Sequence, residues 1–423
     1  MSVEDLRALQ EDRLKAMVRY VYDHSSFYRK RFDDAKVEPG DIKTLDDVSK
    51  LPFTRKTDLR DNYPTGLFCL PKNLVVRYHV SSGTTGKPTV VGYTKGDIEA
   101  WSDSLARALT SIGLSSNDVI QVGYGYGLFT GGLGLHYGAE RIGATVIPMS
   151  TGNTERQLEL MQDLGSTAIA CTPSYFLHIM EVAEKMGISI RNDTQLRTGI
   201  FGAEPWSDET RARIEAGTGI KAYDIYGTSE ISGPLFTECH CQKGIHVWSD
   251  LFLTEIIDPD TGEQVEDGER GELVFTTLNK WAMPLIRYRI GDITSMTHEV
   301  CECGRSHPRI MRLHGRTDDM IIVRGINVFP SQVESVLLRI AEVGPHYQIL
   351  VDRDGPLDVM TVRVELTESG FSDKIGDLMA LSKKISKELK GVLNIMAKIE
   401  LVEPGTIPRY EGKAKRVIDT RKV

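Results

Sequence analysis

Between residues 118 and 173 short β-rich runs alternate with helical patterns, and no other feature limits the fold as much. "DVIQVGYG", "GATVIPMS" and "STAIACTP" are separated by stretches such as "NTERQLELMQDLG". Strands punctuated by helices build crossover units, so a doubly wound α/β core is expected. The segment before it reads as helices, beginning with the amphipathic, charged "MSVEDLRALQEDRLKAMVRYVYDHS", which lacks a signal-peptide core. The Pro-punctuated "LPFTRKTDLRDNYP" then leads into the main fold.

After residue 240 the pattern changes. "LFLTEIIDPDTGEQVEDGERGELVFTTL" reads as strand, turn, charged turn and strand, which suits a small antiparallel barrel or meander. "GRTDDM" (315–320) is a polar break, followed by a strand expected over "IIVRGINVFP". The remaining residues alternate helix and strand as a small α+β domain. A chain of 423 residues exceeds what one core usually organises, so two or three domains are expected. A net charge of −8 gives no support for general nucleic-acid or anionic-membrane binding. No apolar run approaches the ~20 residues of a membrane span. A cytoplasmic enzyme is the expectation.

The stretch "SSGTTGKPT" (81–89) has the makings of an anion site: two glycines, hydroxyls and a lysine. It is not a P-loop, because Gly83 and Gly86 are too close together and Pro88 follows Lys87. "LVVRYHV" (74–80) and "TVVGYT" (89–94) read as strands on either side. A helix dipole is therefore absent, and a flap over a triphosphate is the natural reading. Thr94 and Asp97 form a capping pair that starts a helix running to about Leu109.

Four further stretches bear on what this loop does. Together with "YGTSE" (226–230), "RYRIGDIT" (287–294), "GRTDDMIIVRGINVFPSQVE" (315–334) and "IPRYEGKAKRVID" (407–419), it resembles the ordered motif set of the adenylate-forming (acyl-CoA synthetase and luciferase-like) superfamily. "YGYGLFTGGLGLHYGAERIGATVIP" (124–148) and "GAEPW" (202–206) resemble its phenylacetate–CoA ligase branch. The resemblance implies a large N-terminal ATP- and acyl-binding domain (1–317), made of doubly wound α/β subdomains plus a small β-barrel. A small mobile α+β lid domain (318–423) would carry the catalytic lysine. It also implies ATP-dependent ligase chemistry: an aryl carboxylate is converted to acyl-AMP and passed to CoA, releasing pyrophosphate and AMP.

Carried over residue by residue, the resemblance places Ser81, Ser82, Gly83, Thr84, Thr85, Gly86 and Lys87 over the β- and γ-phosphates. Gly227 and Thr228 belong to the turn that presents Ser229 to the α-phosphate. Glu230 would help hold Mg²⁺, a hard ion suited to carboxylate and phosphate oxygens. Asp292 would accept the ribose hydroxyls. Gly202, Ala203, Glu204 and Pro205 would line one side of the adenine, and Asp224, Ile225 and Tyr226 the other. Arg316 is expected at the nucleotide, Asp318 at the hinge, and Arg324 and Gly325 along the pantetheine path. Lys413 would place its charge between attacking carboxylate and α-phosphate. Outside this motif context, Lys413 would read as one basic residue of a solvated tail.

Tyr124, Tyr126 and Phe129 on a glycine-rich scaffold suit a flat acyl group, with Pro234 as a further wall. Phenylacetate is the leading substrate; benzoate-type, indole and other arylacetic acids stay open. Cys69 and Cys171 sit in apolar runs as buried thiols. Cys239-His240-Cys241 with His246, and Cys301-Glu302-Cys303 with His307, form two C-x-C clusters. Their spacing departs from the usual zinc knuckle, so disulfides and free thiols stay open. A structural Zn²⁺ on Cys239, His246, Cys301 and Cys303 is the preferred reading, with Cys241 in reserve. Two other activities fit the same scaffold: adenylylation of a deazaflavin coenzyme, and loading of a carrier protein. The branch also suggests a homodimer.

Overall fold

The computed structural model describes residues 1–81, 88–316, 320–324, 326–354, 357–371 and 374–421. Ser82–Lys87, Asp318 and Gly325, all assigned roles above, lie outside the described residues. The chain forms two compact units: Met1–Ser150 with Thr167–Ala170 and Tyr223–Arg312, and Thr151–Ser166 with Cys171–Ala222 and Leu313–Val423.

In the first unit, the helices Val3–His24 and Ser26–Ala35 bury Leu14, Met17, Val18, Val21, Tyr28 and Phe32 in a core shared with Leu278 and Ile286. The strands Val119–Val122, Thr145–Ile147 and Ala168–Cys171 correspond to the three β-rich runs. Val119–Val122 pairs in parallel with both of the others, as crossover connections require. Lys95–Ser111 is helical, with Thr94 and Asp97 in a reciprocal capping box, as their spacing predicts. Cys69 and Cys171 are buried, free thiols.

The segment expected to form a barrel or meander runs as a meander. Phe252–Ile257 pairs antiparallel with Gly271–Thr277, which pairs antiparallel with Tyr288–Thr294. Its pivot is Arg287, which sits at φ 43° and is almost wholly buried. Its guanidinium donates to Glu255 at 2.8 and 3.1 Å and to the carbonyls of Ser49 and Leu51 at 3.0 Å each. A buried ion pair needs such extra hydrogen bonds to offset the cost of desolvation. The first arginine of "RYRIGDIT" is thus a structural anchor that fixes the start of the strand carrying Asp292.

In the second unit, the helices Thr154–Asp163, Pro173–Lys185 and Asp208–Thr218 accompany the strand Thr198–Gly202. The C-terminal part is a sheet in the order Lys398–Val402, Leu357–Leu366, Val343–Asp354, Val417–Asp419. The helices Pro330–Leu337 and Ile375–Leu393 cover its apolar residues, among them Ile349, Val351, Val362 and Val364. One expectation fails here. "IIVRGINVFP" is an antiparallel hairpin, Ile321–Val323 with Ile326–Val328, rather than a single strand. Arg324 takes a left-handed φ of 53° at the turn, far from the extended backbone that a continuous strand needs.

Candidate active site

The candidate loop is held between two paired strands. Arg77–Val80 and Val90–Tyr93 are antiparallel, with Val80 opposite Val90. Ser81 closes the neck: its N–H donates to Thr89 O at 3.0 Å and its hydroxyl accepts from Thr89 N at 3.1 Å. The strand–loop–strand setting read from the sequence is therefore present, and no helix follows the loop directly.

Three segments of the first unit meet around this neck. Leu128 O accepts from Val80 N at 3.0 Å and faces His79 Nδ1 at 3.0 Å, tying the aromatic loop to one strand. Tyr93, on the other strand, donates its hydroxyl to Ser229 O at 3.0 Å. Thr130 and Ser229 share a hydroxyl–hydroxyl contact at 3.2 Å. Loop neck, aromatic loop and the "YGTSE" turn are thereby laced into one constellation. None of these tethers was legible in the sequence, because each joins residues far apart in the chain.

Within the constellation, Glu230 is only 7% exposed in the short turn Ser229–Ile231. The Thr228 hydroxyl is buried with no hydrogen-bond partner among the described residues. The turn is compact because two glycines meet: a Cβ on Gly233 would lie 2.3 Å from the Gly227 carbonyl carbon. The strand Lys221–Tyr226 leads into it, with Ile225 buried and Asp224 N donating to Glu238 at 2.8 Å. Tyr226 donates to Asp292 Oδ2 at 2.6 Å, bringing two predicted nucleotide residues together from strands 66 positions apart.

Two glycines stand beside two of the aromatic side chains named above. A Cβ on Gly131 would touch Tyr124 at 3.4 Å, and one on Gly132 would crowd the Tyr126 ring at 3.0 Å. Tyr124 is buried, Tyr126 faces His136 at 3.3 Å, and Phe129 is 51% exposed. Pro234 accepts from Trp101 Nε1 at 3.0 Å through its carbonyl.

In the second unit, Gly202 ends its strand and Ala203 adopts a left-handed φ of 68°. That turn directs Glu204 to accept from Ser174 N at 2.8 Å and Ala414 N at 3.0 Å. Burial pushes the Glu204 carboxyl up, opposed by the charge of Arg416 and by these hydrogen bonds. Lys413 is exposed on the loop so held. Arg324 donates to the Asp358 carbonyl at 2.8 Å, and Arg316 lies in the short strand Gly315–Arg316.

The cysteine cluster lies apart from the loop neck, on other elements of the first unit. Cys239 Sγ is 3.7 Å from Cys301 Sγ, and Cys303 Sγ is 3.5 Å from His246 Nε2. Ligand atoms of all four residues lie within 4.8 Å of one another. The sulfur separation is far beyond the ~2.05 Å of a disulfide, and all the cysteines are free. His307 is outside the four and accepts from Ser249 N at 3.3 Å; Cys241 is likewise outside. Burial lowers the His246 pKa to about 4, so its ring is neutral near pH 7.

A Gly/Ser/Thr loop, a buried carboxylate turn and a Tyr–Asp pair define a nucleotide-dependent enzyme of the adenylate-forming class. Residues 20–279 match the model of the AMP-binding enzymes, and 325–421 that of the AMP-binding enzyme C-terminal domain. The chain belongs to this family. It is 50% identical to a phenylacetate-coenzyme A ligase of Thermus thermophilus over 99% of this chain and 97% of that protein. It is 49% identical to the enzyme of that name from Aromatoleum evansii, over 99% and 96%. Its structure matches 2-hydroxyisobutyryl-CoA ligase in the postadenylation state with 2-HIB-AMP at a TM-score of 0.93 and 31% identity, over 99% of this chain and 90% of that one. Within the family the chain therefore belongs to the phenylacetate–CoA ligase branch, and it is an AMP-forming acid–thiol ligase. No helix among the described residues is long and apolar enough to cross a membrane.

Proposed function

We propose that this enzyme activates phenylacetate or a closely similar aryl acid. The observation that carries the reading is the lacing of the aromatic loop to both the loop neck and the Ser229–Glu230 turn. An acyl group lying against Tyr124, Tyr126, Phe129 and Pro234 would have its carboxylate beside the residues that handle phosphate. A carboxylate oxygen then bonds to the α-phosphorus as the bond to pyrophosphate breaks. In the second half-reaction the CoA sulfur, having lost its proton, bonds to the acyl carbon as the bond to AMP breaks.

In this reading Ser81 and the loop 82–87 hold the departing pyrophosphate, and Ser229 contacts the α-phosphate. The buried Glu230 carboxylate, with the Thr228 hydroxyl, unpartnered among the described residues, two positions away, is an oxygen donor set suited to Mg²⁺. When bound, that ion supplies charge neutralisation at the phosphates. Asp292, oriented by Tyr226, accepts from the ribose. The motif matches motivate the remaining roles: the backbone of 202–205 and the residues Asp224–Tyr226 toward adenine, Arg316 toward nucleotide, Arg324 and Gly325 toward pantetheine. Lys413 is the cation between the reacting oxygens. The same motif matches motivate a hinge at Asp318, with 318–423 as the lid domain.

We read the cysteine cluster as a structural zinc site. A tetrahedral ion with Zn–S near 2.3 Å and Zn–N near 2.0–2.1 Å has S–S edges of about 3.8 Å and S–N edges of about 3.6 Å. The observed 3.7 and 3.5 Å fit that shape. Four protein ligands leave no open position, so the ion would brace the strands and take no part in the reaction.

The test is pyrophosphate exchange across aryl and short aliphatic acids, with and without CoA. Strongest exchange with phenylacetate, and thioester formed only with CoA, is expected. Stronger exchange with an aliphatic acid overturns the aryl assignment. A deazaflavin or carrier protein consuming the adenylate in preference to CoA overturns the acceptor.

A further inference from the structure

The two peptide units that flank Lys413 are both gripped, by residues outside its own loop. On one side the Gly412 carbonyl accepts from Thr172 Oγ1 at 3.3 Å and from Ser174 Oγ at 3.4 Å. On the other side the Ala414 N–H donates to Glu204 Oε2 at 3.0 Å. The second oxygen of the same carboxylate accepts from Ser174 N at 2.8 Å. Ser174 is the second residue of the helix Pro173–Lys185, where a backbone N–H has no partner within the helix. Glu204 thus satisfies an orphan donor at a helix terminus that favours negative charge, and with its other oxygen holds the lysine loop.

The grip extends further along the helix. Ser174 and Glu181 are seven positions apart and so share a face. Glu181 accepts from Arg409 Nε at 2.9 Å, and Arg409 also donates to Glu365 at 2.6 and 2.9 Å. Glu181 Oε1 lies 2.7 Å from His346 Nε2 as well. Residues 409–414 are therefore fastened to one helix face at both ends of the loop. Glycine at 152 makes room for this: a Cβ there would lie 2.5 Å from Glu411 Oε2.

We propose that Glu204 is a positioning residue for the adenylation half-reaction, its carboxylate latching the backbone at Ala414 to the helix Pro173–Lys185 so that Lys413 is presented at a fixed place. The proposal rests on Lys413 acting in adenylation. It gives Glu204 a task different from lining the adenine, because both of its oxygens are already spoken for by backbone N–H groups. A carboxylate suits the task and an amide does not. Glutamine would accept one of the two N–H groups but turn its own NH₂ against the other.

The experiment measures each half-reaction separately in Glu204→Gln, Ser174→Ala and Lys413→Ala. Adenylation is followed by pyrophosphate exchange, and thioester formation from supplied phenylacetyl-adenylate and CoA. Glu204→Gln is expected to lower kcat of adenylation by roughly tenfold or more, as loss of a hydrogen bond to a charged acceptor does. KM for ATP and the rate from supplied adenylate should stay within about twofold of the wild type. Ser174→Ala, which removes only a hydroxyl, should lower the same step by roughly two- to fivefold, the effect of a neutral hydrogen bond. Equal loss of both half-reactions in Glu204→Gln would mark a merely structural residue and overturn the proposal, as would a raised KM for ATP with kcat intact. If Lys413→Ala loses adenylation selectively while Glu204→Gln and Ser174→Ala do not, the latch alone fails. If Lys413→Ala keeps adenylation, the reading of the lysine fails first and the latch with it. Should Glu204→Gln not fold, the half-reaction split in Ser174→Ala decides.

Discussion

Tyr226 donates its hydroxyl to Oδ2 of Asp292 across 2.6 Å, and both side chains are buried. The bond holds the carboxylate in one orientation on a strand that is itself pinned by the buried pair Arg287–Glu255. If Asp292 receives the ribose, Tyr226→Phe leaves the charge in place but frees its orientation. Part of the ~1.5–3 kcal/mol of a charge-assisted hydrogen bond is then lost from nucleotide binding. KM for ATP should rise by roughly five- to thirtyfold while KM for the acid stays level, with a larger rise in Asp292→Ala. Initial-rate pyrophosphate exchange at varied ATP measures this. An unchanged KM for ATP in both variants removes Asp292 from the nucleotide site.

The turn that presents Glu230 depends on two glycines touching. A methyl group on Gly233 would lie 2.3 Å from both the Gly227 carbonyl carbon and the Thr228 nitrogen, backbone atoms that cannot swing aside. Gly233→Ala should therefore cost about 1–3 kcal/mol of stability, the usual range for overpacking. It should also abolish most adenylation, because Thr228, Ser229 and Glu230 move with the backbone. Urea denaturation and pyrophosphate exchange on the same preparation check both effects. Full activity in Gly233→Ala would show that the turn tolerates displacement.

How far the sequence reveals such a site depends on whether the information is local. The loop 81–89, the capping pair Thr94–Asp97 and the strand–turn–strand run 251–278 are written in neighbouring residues, and the strands and cap they predict are present. By contrast, the hairpin at Ile321–Val328 was hidden, because its β-rich flanks outweighed the signal of a single Arg-Gly step. The tethers Tyr93–Ser229 and Thr130–Ser229 span about a hundred residues or more and leave no periodic trace. Glu204 was visible as part of "GAEPW", yet its hold on Ala414 arises only when residues 210 positions apart meet.

Lys280 predicts an alkaline signature of stability. It is almost wholly buried, donates to the Gly92 carbonyl at 3.2 Å and stands 3.9 Å over the Tyr93 ring. Burial lowers its pKa from 10.5 to about 8, only partly countered by Asp97. The unfolded chain thus binds more protons than the folded one between those two values. The destabilisation is complete below pH 8 and is relieved as pH rises toward 10.5, to a total of about 3 kcal/mol. Asp97 does not need the ammonium, since it accepts from the N–H groups of Thr94, Trp281 and Ala282. Lys280→Met should therefore flatten the climb between pH 8 and about 9.5, before tyrosine ionisation intervenes. Urea midpoints of both proteins across that range test it; parallel pH profiles would show that Lys280 is not the group responsible.

The cysteine cluster yields a prediction about metal that is independent of the active site. Its four ligand atoms lie within 4.8 Å of one another, and the His246 Nδ1 atom faces the His307 carbonyl at 3.4 Å, which leaves Nε2 toward Cys303. Protein purified without chelators should carry about one zinc per chain, as a closed four-ligand site implies. Cys303→Ser and His246→Ala should lose that zinc and melt a few degrees lower, at roughly 2–4 °C for each ~1 kcal/mol lost from a unit of this size. Cys241→Ser should keep it, because Cys241 stands outside the four. The zinc-depleted variants, assayed below their melting temperature, should retain the KM values for ATP and acid. Elemental analysis, thermal melts and exchange assays read the three outcomes. Absence of stoichiometric zinc from the wild type, or loss of zinc in Cys241→Ser alone, would overturn the ligand set.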